Sequence, residues 1–277
     1  MQIKVDYHFH PNFPLFIPFL GRSLANKRAR AIWKAFEKNK MDVVLITEHS
    51  YKHPKKSFEI LELNKPRNAK TLIVPGIEVL TKEGTDLIVF SKNKQDVYSY
   101  SELLIPWKLK MAEVVKMISQ KDSLKGIVVH LYTPGATGII KNNGIEEAKK
   151  AIKQLGFVEF YNCSFTALIQ LFDSLRLNKI LKKKYVQMIN TATAPNELCY
   201  ENTIVTGGSD AHHPSEIGDY MEIECDNAKN FFDIITTKSG KIIRRKKYIL
   251  TLIPNTVTVS REWLMKKLHL YTVDKPL

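Results

Sequence analysis

Five short apolar runs, rich in β-branched residues, each deliver side chains that bind metals, and nothing else in the chain constrains its fold as much. The first closes on Asp6-Tyr7-His8-Phe9-His10, and Val43-Val44-Leu45-Ile46-Thr47 ends in Glu48-His49. Thr71-Leu72-Ile73-Val74-Pro75-Gly76-Ile77 delivers Glu78, Gly126-Ile127-Val128-Val129 delivers His130, and Thr203-Ile204-Val205-Thr206-Gly207-Gly208-Ser209 delivers Asp210-Ala211-His212. Strands of a parallel sheet, covered on both faces, have this continuous apolar character. In α/β barrels the chemistry sits where such strands end, on the carboxyl-terminal face. Five of the eight histidines fall at these ends, which scattered core or surface histidines would not do. Ile3 and Val5 alternate with Lys4 and Asp6, so the spacing predicts that His8 and His10 share a face and can chelate one ion. A lone His-x-His pair is as often structural as ligating; the other four strand ends favour ligation.

The intervening segments predict an alternation of helix and strand. A proline-broken aromatic loop, residues 11 to 22, follows the His-x-His pair, either as a wall of the site or as packing on the rim. Ser23 is the expected N-cap of a basic helix with Ala25, Ala29, Ile32, Trp33 and Phe36 on its buried stripe. Further helices are expected at Ser57 to Leu63, Met111 to Gln120, Ile145 to Gln154 and Thr166 to Lys183, with strands at Phe157 to Tyr161 and Tyr185 to Asn190. The run Glu83 to Phe90 reads as a hairpin return that brings Asp86 near Glu78. A helix from Asp226 through Ile235, an apolar run Tyr248 to Ile253 and a helix at Ser260 to Leu268 finish the chain. Such alternation is the signature of a parallel α/β architecture. We expect one domain over residues 1–277, with 226–277 completing it.

A chain of 277 residues with 44% hydrophobic content can bury a full core. No 18-residue apolar stretch or signal peptide is evident, so the expectation is a cytoplasmic protein with no membrane partner. Cys163, Cys199 and Cys225 lack CxxC spacing, which argues against a disulfide framework or zinc ribbon. Lys and Arg number 42 against 28 Asp and Glu, a formal charge of +14 that favours polyanionic partners, nucleic acid among them. Lysine-rich solvated helix faces account for such an excess equally well, and a solvated turn is the simpler reading of Arg244-Arg245-Lys246-Lys247.

His8-x-His10, Thr47-Glu48-His49, Pro75-Gly76-Ile77-Glu78, His130, Val158-Glu159-Phe160-Tyr161-Asn162 and Gly208-Ser209-Asp210-Ala211-His212 occur in the order of the PHP (polymerase and histidinol phosphatase) superfamily. Over residues 1 to 225 the chain resembles that family. The resemblance implies a distorted (β/α)7, TIM-like barrel with two or three divalent metals at the carboxyl ends of its strands. It also implies hydrolysis of a phosphomonoester or phosphodiester by a metal-bound hydroxide. By resemblance, His8, His10, Glu78 and Asp210 hold one metal, Glu78 bridges to a second that takes His130, and His49 and His212 build a third position. Asp210, His212 and Glu78 are the expected catalytic residues. Glu48 stands where the family has aspartate, as a ligand or as a group orienting one. Leu15 replaces an expected Asp or His and argues for two metals rather than three.

Asp86, Asn162 and Cys163 are additional candidates for the metals or the groups behind them. Arg22, Tyr132 and His213 are candidates for the substrate phosphate, since Arg suits bidentate phosphate contacts. Mixed imidazole and carboxylate donors suit zinc, manganese or iron, with magnesium as a further candidate. The phosphorylated substrate is expected to be a nucleotide or nucleic acid, or a small metabolite of the histidinol-phosphate kind. Two rivals remain: a non-catalytic nucleic-acid-binding barrel subunit of an RNA-processing complex, which predicts eroded ligands, and amidohydrolase-type C–N hydrolysis, whose lysine ligand has no candidate.

Overall fold

The computed structural model describes residues 1–15, 20–132, 138–164, 198, 200–225 and 230–243. The expected helix Thr166 to Lys183, the strand Tyr185 to Asn190, Thr133 and everything from Arg244 onward lie outside those residues.

β1 (Gln2–Phe9), β2 (Val43–Ile46) and β3 (Leu72–Leu80) pair in parallel, as the apolar runs predict. The chain then reverses: Gly84, at φ +85°, makes the turn, and β4 (Asp86–Ser91) returns antiparallel to β3. β5 (Leu124–Val128) runs antiparallel to β4, and β6 (Phe157–Asn162) and β7 (Ile204–Gly208) continue in parallel. Two antiparallel strands, β8 (Tyr220–Glu224) and β9 (Lys241–Ile243), extend the other edge of β1. The order is β7-β6-β5-β4-β3-β2-β1-β8-β9. Beyond its end, β7 meets β1 again through a parallel bridge between Phe9 and Ala211, with Asp210 N donating to His8 O at 2.7 Å and His10 N to Ala211 O at 3.1 Å. The result is a nearly closed, barrel-shaped sheet in a mixed α/β fold. A uniform parallel β/α alternation is not what the described residues show, because β4, β8 and β9 run against their neighbours.

α1 (Gly21–Asn39) buries Ala25, Ala29, Ile32, Trp33 and Phe36 against the outer face of the sheet, the stripe expected from spacings of three and four. It starts two residues before the expected cap: Leu20 holds the N-cap position, so Arg22 and Ser23 are already helical and exposed. Gly21 permits this entry, since a Cβ there would lie 2.9 Å from Pro14 O. Trp33 Nε1 donates to Leu61 O at 2.9 Å, tying α1 to α2 (Pro54–Leu63). After the short α3 (Lys94–Tyr98), α4 (Met111–Ser119) begins where predicted, with Glu113 accepting from Lys110 N at 2.7 Å. α5 (Ile139–Asn143) and α6 (Ile145–Leu155) follow, the latter ending on left-handed Gly156. α7 (Phe231–Thr237) begins after Asn230, which makes no side-chain capping hydrogen bond, and Asp226 lies outside the described residues.

Two hydrophobic layers result. Val44, Ile46, Ile77, Val79, Leu87, Val89 and Val128 face the helices, whereas Ile3, Val5, Tyr7, Val43, Leu45, Val74, Ile88, Phe90 and Ile127 fill the inside. Ile235 of α7 joins the inner layer, and Tyr7 Oη donates to its carbonyl at 2.9 Å. β1 changes phase midway. Strict alternation would set His8 and His10 on the face of Lys4 and Asp6, but the pairing slips between Asp6 and Phe9. Phe9 therefore packs outside with Phe36, and both histidines turn inward above the apolar plug. No described helix is long and apolar enough to cross a membrane.

Candidate metal centre

The inward-facing strand ends converge on one buried polar cluster. His8 and His10 come from β1, Glu48 and His49 from the exit of β2, Glu78 from β3, His130 from the exit of β5, and Asp210 and His212 from the exit of β7; all are buried. His130 Nε2 lies 2.9 Å and His8 Nε2 3.4 Å from Glu78 Oε1, while His49 Nδ1 lies against Glu78 Oε2. Asp210 Oδ1 is 3.2 Å from His10 Nε2 and 3.6 Å from His8 Nε2, and His49 Nε2 is 3.4 Å from His212 Nε2. The His10 ring stacks on those of His49 and His212, with centroids 4.2 and 4.4 Å apart. Among the described residues, three groups bring their donor atoms within 4.8 Å: His8 with Glu78 and His130, His8 with His10 and Asp210, and His10 with His49 and His212.

Such a cluster is expensive without something to bind. His8 Nε2 and both ring nitrogens of His10 are fully buried and make no hydrogen bond. Leaving buried polar atoms unsatisfied costs about 1–3 kcal/mol each, so a divalent cation fits these donors. Backbone strain accompanies the cluster: His130 and Asp210 hold left-handed φ of 54° and 44°. Each such non-glycine residue costs on the order of 1–3 kcal/mol and persists where its surroundings overdetermine it.

The local electrostatics separate the histidines. Burial lowers His8, but the carboxylates of Asp210 and Glu159 outweigh it and hold the imidazole well above its ordinary value. Burial likewise opposes ionisation of Glu78, yet His49, His130 and His8 keep it well below the usual carboxylate range. Asp210 is held low in the same way, chiefly by His8 and His10. His10 goes the other way, lowered by burial and by the imidazoles of His49 and His212.

A second layer of polar residues anchors the first. Asp6 accepts from His8 N at 3.1 Å, Ser209 N at 2.9 Å and Ser209 Oγ at 2.6 Å, clamping β1 to the exit of β7; burial raises its carboxyl to about 7 against these hydrogen bonds. Glu48 accepts from Asn12 N at 2.6 Å and His49 N at 3.2 Å, and stands 3.8 Å from His10 Nδ1, too far for a hydrogen bond. Glu216 Oε2 accepts from the backbone N–H groups of His212 and His213. Asn162 Nδ2 donates to Asp210 Oδ2 at 3.0 Å and to Glu159 Oε2 at 3.3 Å, which places it behind the carboxylates. Glu159 accepts from His8 Nδ1 at 2.7 Å.

The remaining sequence candidates fall away from the cluster or take other positions. Asp86 is buried opposite Leu80 in the β3–β4 hairpin, and none of the three donor groups includes it. Cys163 is buried and outside those groups. Arg22 is an exposed residue of α1, and Tyr132 packs on the outer hydrophobic layer. His213 caps the 3₁₀ turn Pro214–Glu216, its Nδ1 accepting from Ser215 N at 3.3 Å. Two groups near the cluster carry no sequence signature: Arg28 donates to Pro11 O at 2.7 Å and to His212 O, and Lys52 Nζ donates to Asn12 Oδ1 at 2.8 Å. Neither leaves a local pattern, since an arginine in a basic helix and a lysine after a strand are commonplace.

No family model and no curated protein matches the sequence. Among solved structures, the chain is similar to PsfC from Pseudomonas syringae PB-5123, at a TM-score of 0.60 and 14% identity over 96% of this chain and 98% of that one. It is also similar to Endonuclease Q, solved with a 27-mer duplex substrate carrying an abasic lesion at the active site, at a TM-score of 0.50 and 15% identity. That match covers 85% of this chain, which spans about 55% of the Endonuclease Q chain. At such identities the likeness is one of fold: the mixed α/β barrel built here around a buried cluster of histidines and carboxylates is shared with both.

Proposed function

We propose that the chain is a metal-dependent phosphoesterase of the PHP type that cleaves phosphodiesters in nucleic acid. The carrying observation is the convergence of seven ligand-type side chains from five strand ends, with His8 Nε2 and both ring nitrogens of His10 left without hydrogen bonds. His8, His10 and Asp210 would hold one cation and His130 a second. Glu78 suits a bridge between them, because Oε1 faces His8 and His130 while Oε2 faces His10 and His49. Bound divalent cations supply an activated water and neutralise charge on the attacking and leaving oxygens.

The chain's own groups provide the rest. Among the described residues, the apolar inner layer closes the cluster from below, which leaves the strand-end side for substrate. Asp210, held ionised, would offer Oδ1 to the cation beside His8 Nε2 and His10 Nε2. His212 Nδ1 faces the Asp210 carbonyl at 2.9 Å, which leaves Nε2 to face the site. Nucleic acid is favoured by the +14 formal charge and by the duplex substrate of the structurally similar Endonuclease Q. Intact donors at all five strand ends disfavour a non-catalytic barrel.

Hydrolysis of bis-p-nitrophenyl phosphate and p-nitrophenyl phosphate tests this. Turnover should vanish on chelation, return with Mn²⁺ or Zn²⁺, fall at least about 100-fold in His8→Ala, and favour the diester. A wild-type chain inert towards both esters with every divalent cation tried would leave the nucleic-acid-binding barrel as the better reading.

A further inference from the structure

We infer that Glu159 is a positioning residue of this centre: its carboxylate fixes His8 with Nδ1 protonated and Nε2 turned into the donor cluster, and pins the turn that carries His130. The inference rests on the metal-centre reading above and adds a residue that donates no ligand atom.

Glu159 sits on β6 directly after Phe157 and Val158, both in hydrophobic layers, and is itself 5% exposed. A buried carboxylate costs several kcal/mol unless its oxygens are satisfied, so its partners are informative. Oε1 accepts from His8 Nδ1 at 2.7 Å. Oε2 accepts from the backbone N–H of left-handed His130 at 3.3 Å and from Asn162 Nδ2 at 3.3 Å. Asn162 in turn donates to Asp210 Oδ2 at 3.0 Å and stands 3.4 Å from His130 Nδ1. Every one of these contacts leads to a donor-bearing residue. A carboxylate that merely filled a polar gap in the sheet would not select three of them.

The arrangement has a chemical consequence. An imidazole whose Nδ1–H is held by a carboxylate has one tautomer, a fixed ring plane and a more basic Nε2. His8 Nε2 belongs to two of the three donor groups, whereas the group of His10, His49 and His212 takes no atom from His8 or His130. Loss of the Glu159 carboxylate should therefore weaken part of the centre and spare the rest. In Glu159→Gln the amide offers its oxygen to His8 or to His130 N–H but not to both, and its NH₂ then faces a donor.

Calorimetric titration of the full-length, metal-free chain with Zn²⁺ tests this in wild type, Glu159→Gln and Glu159→Asp, alongside histidine-selective ¹⁵N NMR of the zinc-loaded protein. The expected result is about 10- to 100-fold weaker binding for part of the zinc stoichiometry in Glu159→Gln, with the remainder unchanged. A slowly exchanging downfield His8 Nδ1–H signal should be present in wild type and lost in Glu159→Gln, and Glu159→Asp should be intermediate. A Glu159→Gln chain that titrates like wild type overturns the inference. So does uniform loss of all zinc binding together with an early-melting metal-free chain, which is a structural role alone. Wild type that takes up no zinc contradicts the metal centre itself, a separate failure read before any variant is made.

Discussion

Glu78→Gln is expected to abolish metal-dependent turnover, lowering it by more than the roughly 100-fold that loss of a supporting residue produces, and to remove most of the metal affinity with it. Among the described residues no other side chain touches so much of the cluster: its oxygens face His8, His10, His49 and His130, and it is fully buried. The amide keeps the volume and loses the charge. Without metal the substitution also costs stability, because removing one partner of a buried ion pair costs about 3–5 kcal/mol. That cost depends on pH in a fixed direction. The imidazoles hold the native Glu78 carboxyl well below its ordinary value, so its contribution is present above the unfolded carboxylate range, about pH 4 to 5, and is lost as pH falls through the native value. Thermal melts of the metal-free proteins should differ at neutral pH and converge in acid; parallel curves down to low pH would contradict the ion-pair account.

Gly208→Ala is expected to be the most damaging small substitution in the barrel. A Cβ at Gly208 would lie 2.3 Å from His8 Cβ, 2.6 Å from His8 N and 2.9 Å from His8 Cα. Two of these atoms are backbone and the third is fixed to it, so relief requires moving β1 away from β7. That seam carries the Asp6–Ser209 clamp and the hydrogen bonds Asp210 N to His8 O and His10 N to Ala211 O. We expect a loss of about 3 kcal/mol, or a melting temperature lower by roughly 6–12 °C for a chain of this size, with metal binding impaired. Gly156→Ala is the control: its φ of +72° is unfavourable for alanine, yet nothing lies within 4 Å of the added methyl. It should cost only about 1 kcal/mol. Equal losses in the two variants would show that the approach of β7 to β1 does not govern Gly208.

The sequence made the strand ends legible because a strand buried on both faces must be apolar along its length, so each polar residue at its end stands out. Spacing also located α1, α4 and α6, since a helix on a sheet repeats its apolar residues every three or four positions. What depended on distant partners was hidden. The slip in β1 between Asp6 and Phe9, which turns both histidines inward, is set by pairing with β2. Ser23 has a good cap residue's chemistry, but the close approach of Gly21 to Pro14 starts the helix earlier. Arg22 looked apt for phosphate from its place beside the ligands in sequence and instead points out of a helix. Glu159 was visible as a charged residue in an apolar strand, yet its partner His8 is 151 positions away. Its role arises only when β6 and β1 face each other across the barrel.

Metal stoichiometry by plasma mass spectrometry decides whether the buried cluster is a metal centre. The chain should be purified without chelator, and a second sample stripped and reconstituted with Mn²⁺ or Zn²⁺. Wild type should hold about two divalent ions tightly per chain, and Glu78→Gln should lose them. A folded wild-type chain that retains no metal after reconstitution would contradict the metal centre.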